Sequence, residues 1–251
     1  MKKGLNSFQL KCIAMVMMVV GIAVQLYCKA QVLMAPEQQS EMLGILFYIG
    51  QVVYLASFPL CAFLLVEAFK HTSDKKKLLL RLLIAGILAE IPMDMATYGI
   101  KQVQLWGQNQ NYFFTLVLGV LVLLAVEKIT EKAGQGTMKA NLLTLLVYLA
   151  ATMVAILLRT EQSSVGVLTI IALYLFYGNK LFSFVTVAAL YVFFTSSTGL
   201  NIGLEYLPVL SVLLIWAYNG EQGKANGVTR IVFYAVFPVV YCVLGVLSQL
   251  V

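Results

Sequence analysis

The sequence predicts an all-α, polytopic integral membrane protein, and three observations predict it. First, of 251 residues 61% are hydrophobic and only 11% charged, with a mean hydropathy of +0.90, whereas a soluble domain carries about a quarter charged residues. Second, apolar runs of about twenty residues recur along the chain, the length that crosses a hydrocarbon core at about 1.5 Å per residue. Third, the runs are continuously apolar and do not alternate. Lipid offers backbone groups no partners, so these runs are predicted to be helices and not barrel strands.

Taken in order, the runs give about nine spans, at 8–28, 43–69, 78–97, 112–127, 140–158, 164–178, 181–197, 204–218 and 229–250. Residues 8–28 are long for a signal-peptide core, and no small-x-small cleavage site follows. Tyr27, ahead of Cys28, is too bulky for lipoprotein cleavage, so the first span is expected to be a retained helix. The connections are short and polar, as in Lys70-His71-Thr72-Ser73-Asp74-Lys75-Lys76-Lys77 and Gly220-Glu221-Gln222-Gly223-Lys224. None has room for a soluble domain, which makes residues 1–251 a single membrane domain without a visible repeat.

The net charge of +6 does not point to nucleic acid, because the basic residues sit in short loops, where they set topology and meet lipid headgroups. With the N-terminus inside, the 17 basic residues divide 14 inside to 3 outside, the outer three being Lys29, Lys101 and Arg159. That asymmetry predicts a cytoplasmic N-terminus, and nine spans then leave the C-terminus outside. Cys12, Cys28, Cys61 and Cys242 lie in or at the ends of apolar segments without CxxC spacing, so neither a metal site nor a disulfide framework is indicated.

Ionisable groups in hydrocarbon cost about 2.5–3.5 kcal/mol on insertion scales, so each needs a reason. Glu67 ends span two and Arg81 opens span three on the same side, where they could form an ion pair between helix ends. Glu90 and Asp94, in Glu90-Ile91-Pro92-Met93-Asp94, are four apart and share a helix face near the outer end of span three. Pro92 between them predicts a kink or a helix end. Two like-charged carboxylates in poor solvent need a raised pKa or a polar partner. They read either as an acid/base or acceptor-binding pair in an outward cavity, or as surface anchors. The amide-rich stretch Gln108-Asn109-Gln110-Asn111 can cap span four or bind a polar ligand. By topology Glu161, Asn111, Glu90 and Asp94 share one membrane face. The only histidine, His71, reads as a solvated loop residue, and no nucleotide-binding, serine-hydrolase or zinc-protease motif is present.

Several segments carry a specific resemblance. They are Phe58-Pro59-Leu60-Cys61-Ala62-Phe63-Leu64-Leu65-Val66-Glu67-Ala68-Phe69, His71-Thr72, Lys76-Lys77-Leu78-Leu79-Leu80-Arg81, Ala89-Glu90-Ile91-Pro92-Met93-Asp94 and Asn111-Tyr112-Phe113-Phe114-Thr115-Leu116-Val117-Leu118-Gly119. Ala217-Tyr218-Asn219-Gly220-Glu221 and Phe233-Tyr234-Ala235-Val236-Phe237-Pro238 follow in the same order. Together they resemble the TraX family. The resemblance implies a bundle of the transmembrane acyltransferase type in a bacterial inner membrane. It also implies an association with N-terminal acetylation of conjugative pilin, with acyl-CoA as a possible co-substrate.

The chain departs from the family pattern at three places. Gly21 and Ile22 stand where the family carries an Asp-His pair, Leu55 stands for an arginine, and Val240 stands for a histidine. A histidine base contributes about 10²–10⁴-fold to such a transfer. The expectation is therefore kept architecture with degenerate chemistry, binding a hydrophobic peptide, a pilin-like substrate or a partner protein within the lipid bilayer. The alternatives are an active acetyltransferase and, more remotely, a transporter. Glu90 and Asp94 are the candidate catalytic pair. Glu67, Arg81, Asn111, Thr115, Glu161 and Asn219 are the candidate substrate-binding residues. No resident cofactor is expected, and acyl-CoA would enter only as a co-substrate.

Overall fold

The computed structural model of the chain describes residues 4–34, 40–99, 109–195, 209, 211–223 and 227–247. Apart from their connections these are helical, with no strand among them. The helices are α1 Ser7–Met34, α2 Glu41–His71, α3 Lys75–Tyr98, α4 Tyr112–Ala133, α5 Met138–Leu157, α6 Ser163–Leu175, α7 Lys180–Thr195, α8 Ser211–Trp216 and α9 Gly227–Leu247. Each overlaps one of the predicted apolar runs, but they are not nine equivalent spans. Four are long and apolar enough to cross a membrane, namely Ser7–Val32, Glu41–His71, Tyr112–Ala133 and Met138–Leu157. Stretches 163–175, 180–193 and 231–246 are apolar but shorter. Basic residues at its start and carboxylates near its end take α3 out of the apolar set. Of span eight only six helical residues are described, and positions 204–208 and 210 lie outside the described residues, as do Lys2, Lys3, Lys101, Gln108 and Lys224.

Local chemistry explains the boundaries. The side chains of Ser40, Asp74, Asn111 and Thr137 accept from the backbone N–H of Leu43, Lys77, Phe113 and Ala140, so four helices start on an oxygen cap. Gly99 and Gly134 end α3 and α4 at φ +90° and +81°, a region that costs other residues strain. Of the two outcomes expected at Pro92, a kink or a helix end, the end is not seen, because α3 runs on through Asp94 to Tyr98.

Packing gathers the helices into one bundle. α1 lies along α2, α3 against α9, α4 between α5 and α6, and α2 reaches α6 and α8. The α1–α2 approach depends on glycine. A Cβ on Gly21 would sit 2.7 Å from the Tyr54 Cβ and backbone nitrogen, and one on Gly50 would sit 2.8 Å from a Val24 methyl. The core is aromatic at its centre, with Phe58, Tyr112 and Phe237 buried and in edge or tilted ring contact. Two ends result. The basic end holds the α2–α3, α4–α5 and α6–α7 connections, and the opposite end holds the start of α4 and the α5–α6 connection.

Candidate functional site

At the end opposite the basic one, the carboxylates of Glu90, Asp94 and Glu161 converge. Asn111 organises them. Its side-chain amide donates to Glu90 Oε2 at 2.5 Å and to the Gly86 carbonyl at 2.7 Å, and its backbone N–H donates to the same carboxylate at 3.2 Å. Its own carbonyl oxygen caps α4 by accepting from Phe113 N–H at 3.0 Å. A single buried residue thus fixes α3 against α4. Asp94, one turn beyond Glu90 on α3, is fully buried as well.

Glu161 arrives on the tight α5–α6 connection. The backbone around it is left-handed at two non-glycine positions, Arg159 at φ 51° and Ser163 at φ 45°. Such conformations persist only where surroundings enforce them. The enforcement is a short parallel pairing with the segment before α4, in which Gln110 N–H donates to Arg159 O at 2.9 Å and Glu161 N–H to Gln110 O at 2.8 Å. The Tyr112 backbone N–H is directed at the Glu161 carboxyl, and the Tyr54 side chain faces it. Burial pushes this carboxyl up from its ordinary range to about 7, and the nearby Glu90 charge adds to the rise against those two donors.

Beside Glu161 opens a cavity of about 670 Å³ between α1, α2, α3 and α9. Its walls are largely apolar, including Ile22, Leu26, Leu43, Phe47 and Met93, while Glu161, Lys29, Gln25, Asn109 and the tyrosines Tyr54, Tyr98 and Tyr241 are the main polar groups on it. At the same end, four enclosed polar atoms meet no hydrogen-bond partner among the described residues: Glu90 Oε1, Glu161 Oε2, Thr115 Oγ1 and Gln162 Nε2. They belong to one neighbourhood. Gly166 brings Gln162, Thr115 and Phe58 within contact of one point, and the Phe58 and Tyr54 rings both pack on Tyr112. Each such atom costs about 1–3 kcal/mol if nothing meets it. Two carboxylate oxygens beside two donor-bearing groups suit a ligand with a cationic donor and adjacent acceptors.

The predicted site residues therefore separate. Asn111, Glu90, Asp94, Thr115 and Glu161 come together at this end, but only Glu161 lines the cavity. Glu67 sits at the basic end, where it accepts from Tyr177 Oη at 2.6 Å and Tyr218 Oη at 2.7 Å, with His71 Nε2 3.2 Å away. The expected Glu67–Arg81 ion pair does not form, because two phenols occupy the carboxylate and Arg81 is exposed on α3. Asn219 also lies at the basic end, where its backbone N–H donates to Leu5 O at 2.9 Å and its side chain accepts from Glu221 N–H. Tyr54, Tyr98 and Tyr241 were not singled out by the sequence reading, since tyrosines in apolar helices read equally well as packing. Their signal is the hydroxyl, which needs a partner once buried.

No group of three or more His, Cys, Asp or Glu side chains able to hold a metal occurs among the described residues. No curated protein and no solved structure matches the chain. The family model described as TraX protein matches residues 7–248, which is nearly the whole sequence and includes both the carboxylate cluster and the cavity. The chain belongs to the TraX family.

Proposed function

We propose that this TraX-family protein is a membrane-embedded receptor for an apolar peptide segment, pilin-like in character, whose amino group is taken by the Glu161 carboxylate. The observation that carries the reading is the pairing of an apolar cavity of about 670 Å³ with an enclosed, unpartnered carboxylate oxygen on Glu161. Apolar walls supply affinity by burial, and a few convergent polar groups fix the orientation. An ammonium group bound there meets the Glu161 carboxylate instead of water, which a neutral or acetylated terminus cannot reproduce. The first-span positions support binding over chemistry. Ile22 is 2% exposed, and an aspartate side chain at Gly21 would collide with the α2 backbone.

The test is thermal stability of the detergent-purified protein titrated with a synthetic apolar peptide carrying a free or an acetylated N-terminus. A ligand that binds only the folded state raises apparent stability by mass action. The free amine is expected to stabilise, the acetylated peptide to do so at least about tenfold more weakly, and Glu161→Gln to remove the difference. Equal stabilisation by both peptides would sink the proposal.

One observation favours a second reading, acyl transfer from acyl-CoA to the same amine. A carboxyl held near 7 is matched to general-base work at neutral pH. The amine would attack the thioester carbonyl, Glu161 would take the ammonium proton, and the thiolate of CoA would leave. Stabilisation by millimolar acetyl-CoA distinguishes this reading, with Glu90→Gln and Asp94→Asn compared alongside Glu161→Gln.

A further inference from the structure

A second recess lies at the basic end, between the last turn of α4 and the first turn of α5. It encloses about 320 Å³ and is lined by Lys128, Ile129, Lys132, Ala133, Lys139 and Leu143. Three cations thus surround a floor of apolar side chains. None of the three lysines takes part in an ion pair or hydrogen bond among the described residues. The carboxylates on the same helix end do not neutralise them. Glu127 is held through both oxygens by Lys75 at 2.6 Å, and Glu131 is exposed outside the recess. The ends of the two helix dipoles oppose each other here, so the lysines decide the sign.

The surface that continues from the recess is unusual within the bundle. α5 buries only Ala140, Ala151 and Ala155, so it touches its neighbours through small residues. Leu142, Leu145, Leu146, Leu149 and Met153 are exposed along the rest of its length. A leucine-lined face in a helix long enough to cross a membrane is a surface for acyl chains, and the lysine recess sits at its headgroup end.

We propose that this recess binds the phosphate of an anionic glycerophospholipid, with the acyl chains lying along α5. The apolar floor and the contiguous leucine face favour a lipid over a soluble phosphate. Charge complementarity sets the class of headgroup, since three unpaired lysines favour a net-negative lipid over a zwitterionic one. The inference is independent of the peptide reading, because the two sites lie at opposite ends of the molecule.

Native mass spectrometry of the detergent-purified full chain tests it, with titrations of phosphatidylglycerol, of phosphatidylcholine with the same acyl chains, and of glycerol phosphate as competitor. Phosphatidylglycerol is expected to bind more tightly than phosphatidylcholine, and each Lys→Gln change at 128, 132 or 139 to weaken it about fivefold. Lys76→Gln, an exposed lysine away from the recess, should leave binding unchanged, and circular dichroism of each variant confirms the fold. Equal binding of the two lipids, or phosphatidylglycerol binding that survives the triple variant, would overturn the proposal. Displacement by millimolar glycerol phosphate would overturn it too, by assigning the recess to soluble phosphates.

Discussion

At the scale of single residues, Asn111 and Glu161 carry the carboxylate site in different ways. Asn111 is a structural hub, since its three polar atoms serve α3, α4 and a carboxylate at once. Asn111→Ala removes an N-cap and strands Glu90, so it should lower stability by about 3 kcal/mol in denaturant titration. Glu161 instead confers a pH dependence. Its folded-state pKa of about 7 lies above the ordinary value of 4.5, so between those values the folded state binds more protons than the unfolded one. Its contribution is therefore fully present below about pH 4.5 and lost as pH rises through 7. Melting temperature measured from pH 4.5 to 8 should fall over that window in the wild type, and Glu161→Gln should flatten the fall. A wild-type profile unchanged by the substitution would refute the assignment. The identity of these residues was legible in the sequence because charge in an apolar chain is conspicuous. Their division of labour was not, because it depends on the α5–α6 backbone that carries Glu161 to the cavity while leaving Glu90 behind Asn111.

At the scale of helices, the α1–α2 contact and the Glu67 network make the strongest demands. Gly21 faces the α2 backbone so closely that any side chain forces the helices apart. Gly21→Leu should therefore destabilise by more than about 2 kcal/mol, well beyond the roughly 1 kcal/mol gained in helix propensity on replacing a glycine. The double change Gly21→Asp, Ile22→His is expected to unfold α1 from the bundle without creating activity, as read by loss of the thermal transition and by acetyl transfer assays. Glu67 binds α2 to the α6–α7 turn and the end of α8 through two phenols, and burial together with the carboxylate pushes Tyr177 and Tyr218 well above their usual range. Both therefore remain donors at any working pH. Tyr177→Phe and Tyr218→Phe should each cost about 1–2 kcal/mol and couple in a double-mutant cycle, since they share one acceptor group. Helix positions were legible to within several residues because lipid-length apolar runs have sharp polar borders. The extra turns of α1 and α2 were not, because Lys29 and Glu41 resemble loop residues until the helix is seen to continue past them.

At the scale of the molecule, the two ends are chemically distinct, one rich in lysine and the other holding enclosed carboxylates. Thiol labelling of a cysteine-free background tests the orientation expected from the basic residues. A cysteine at Gln135 in the α4–α5 turn should resist a membrane-impermeant reagent in intact cells, and one at Leu158 should react. The reverse pattern would invert the topology and place the Glu161 cavity on the inner side. What the sequence could not convey at this scale is convergence. Residues 90, 111 and 161 are separated along the chain, and the Asn111 bonds to Glu90 together with the short pairing of Gln110 with Thr160 bring them together.

The pairing of Leu5 with Ala217 and Asn219, through bonds of 2.7 and 2.9 Å, imposes an order on biogenesis. The residue just ahead of the first helix finds its partner only after more than two hundred further residues have been made. At about 5–20 residues per second, that segment waits on the order of ten to forty seconds in the nascent chain. The bundle is therefore fastened late at the head of α1, and a chain stalled before α8 would remain unlatched there however well its earlier helices had inserted.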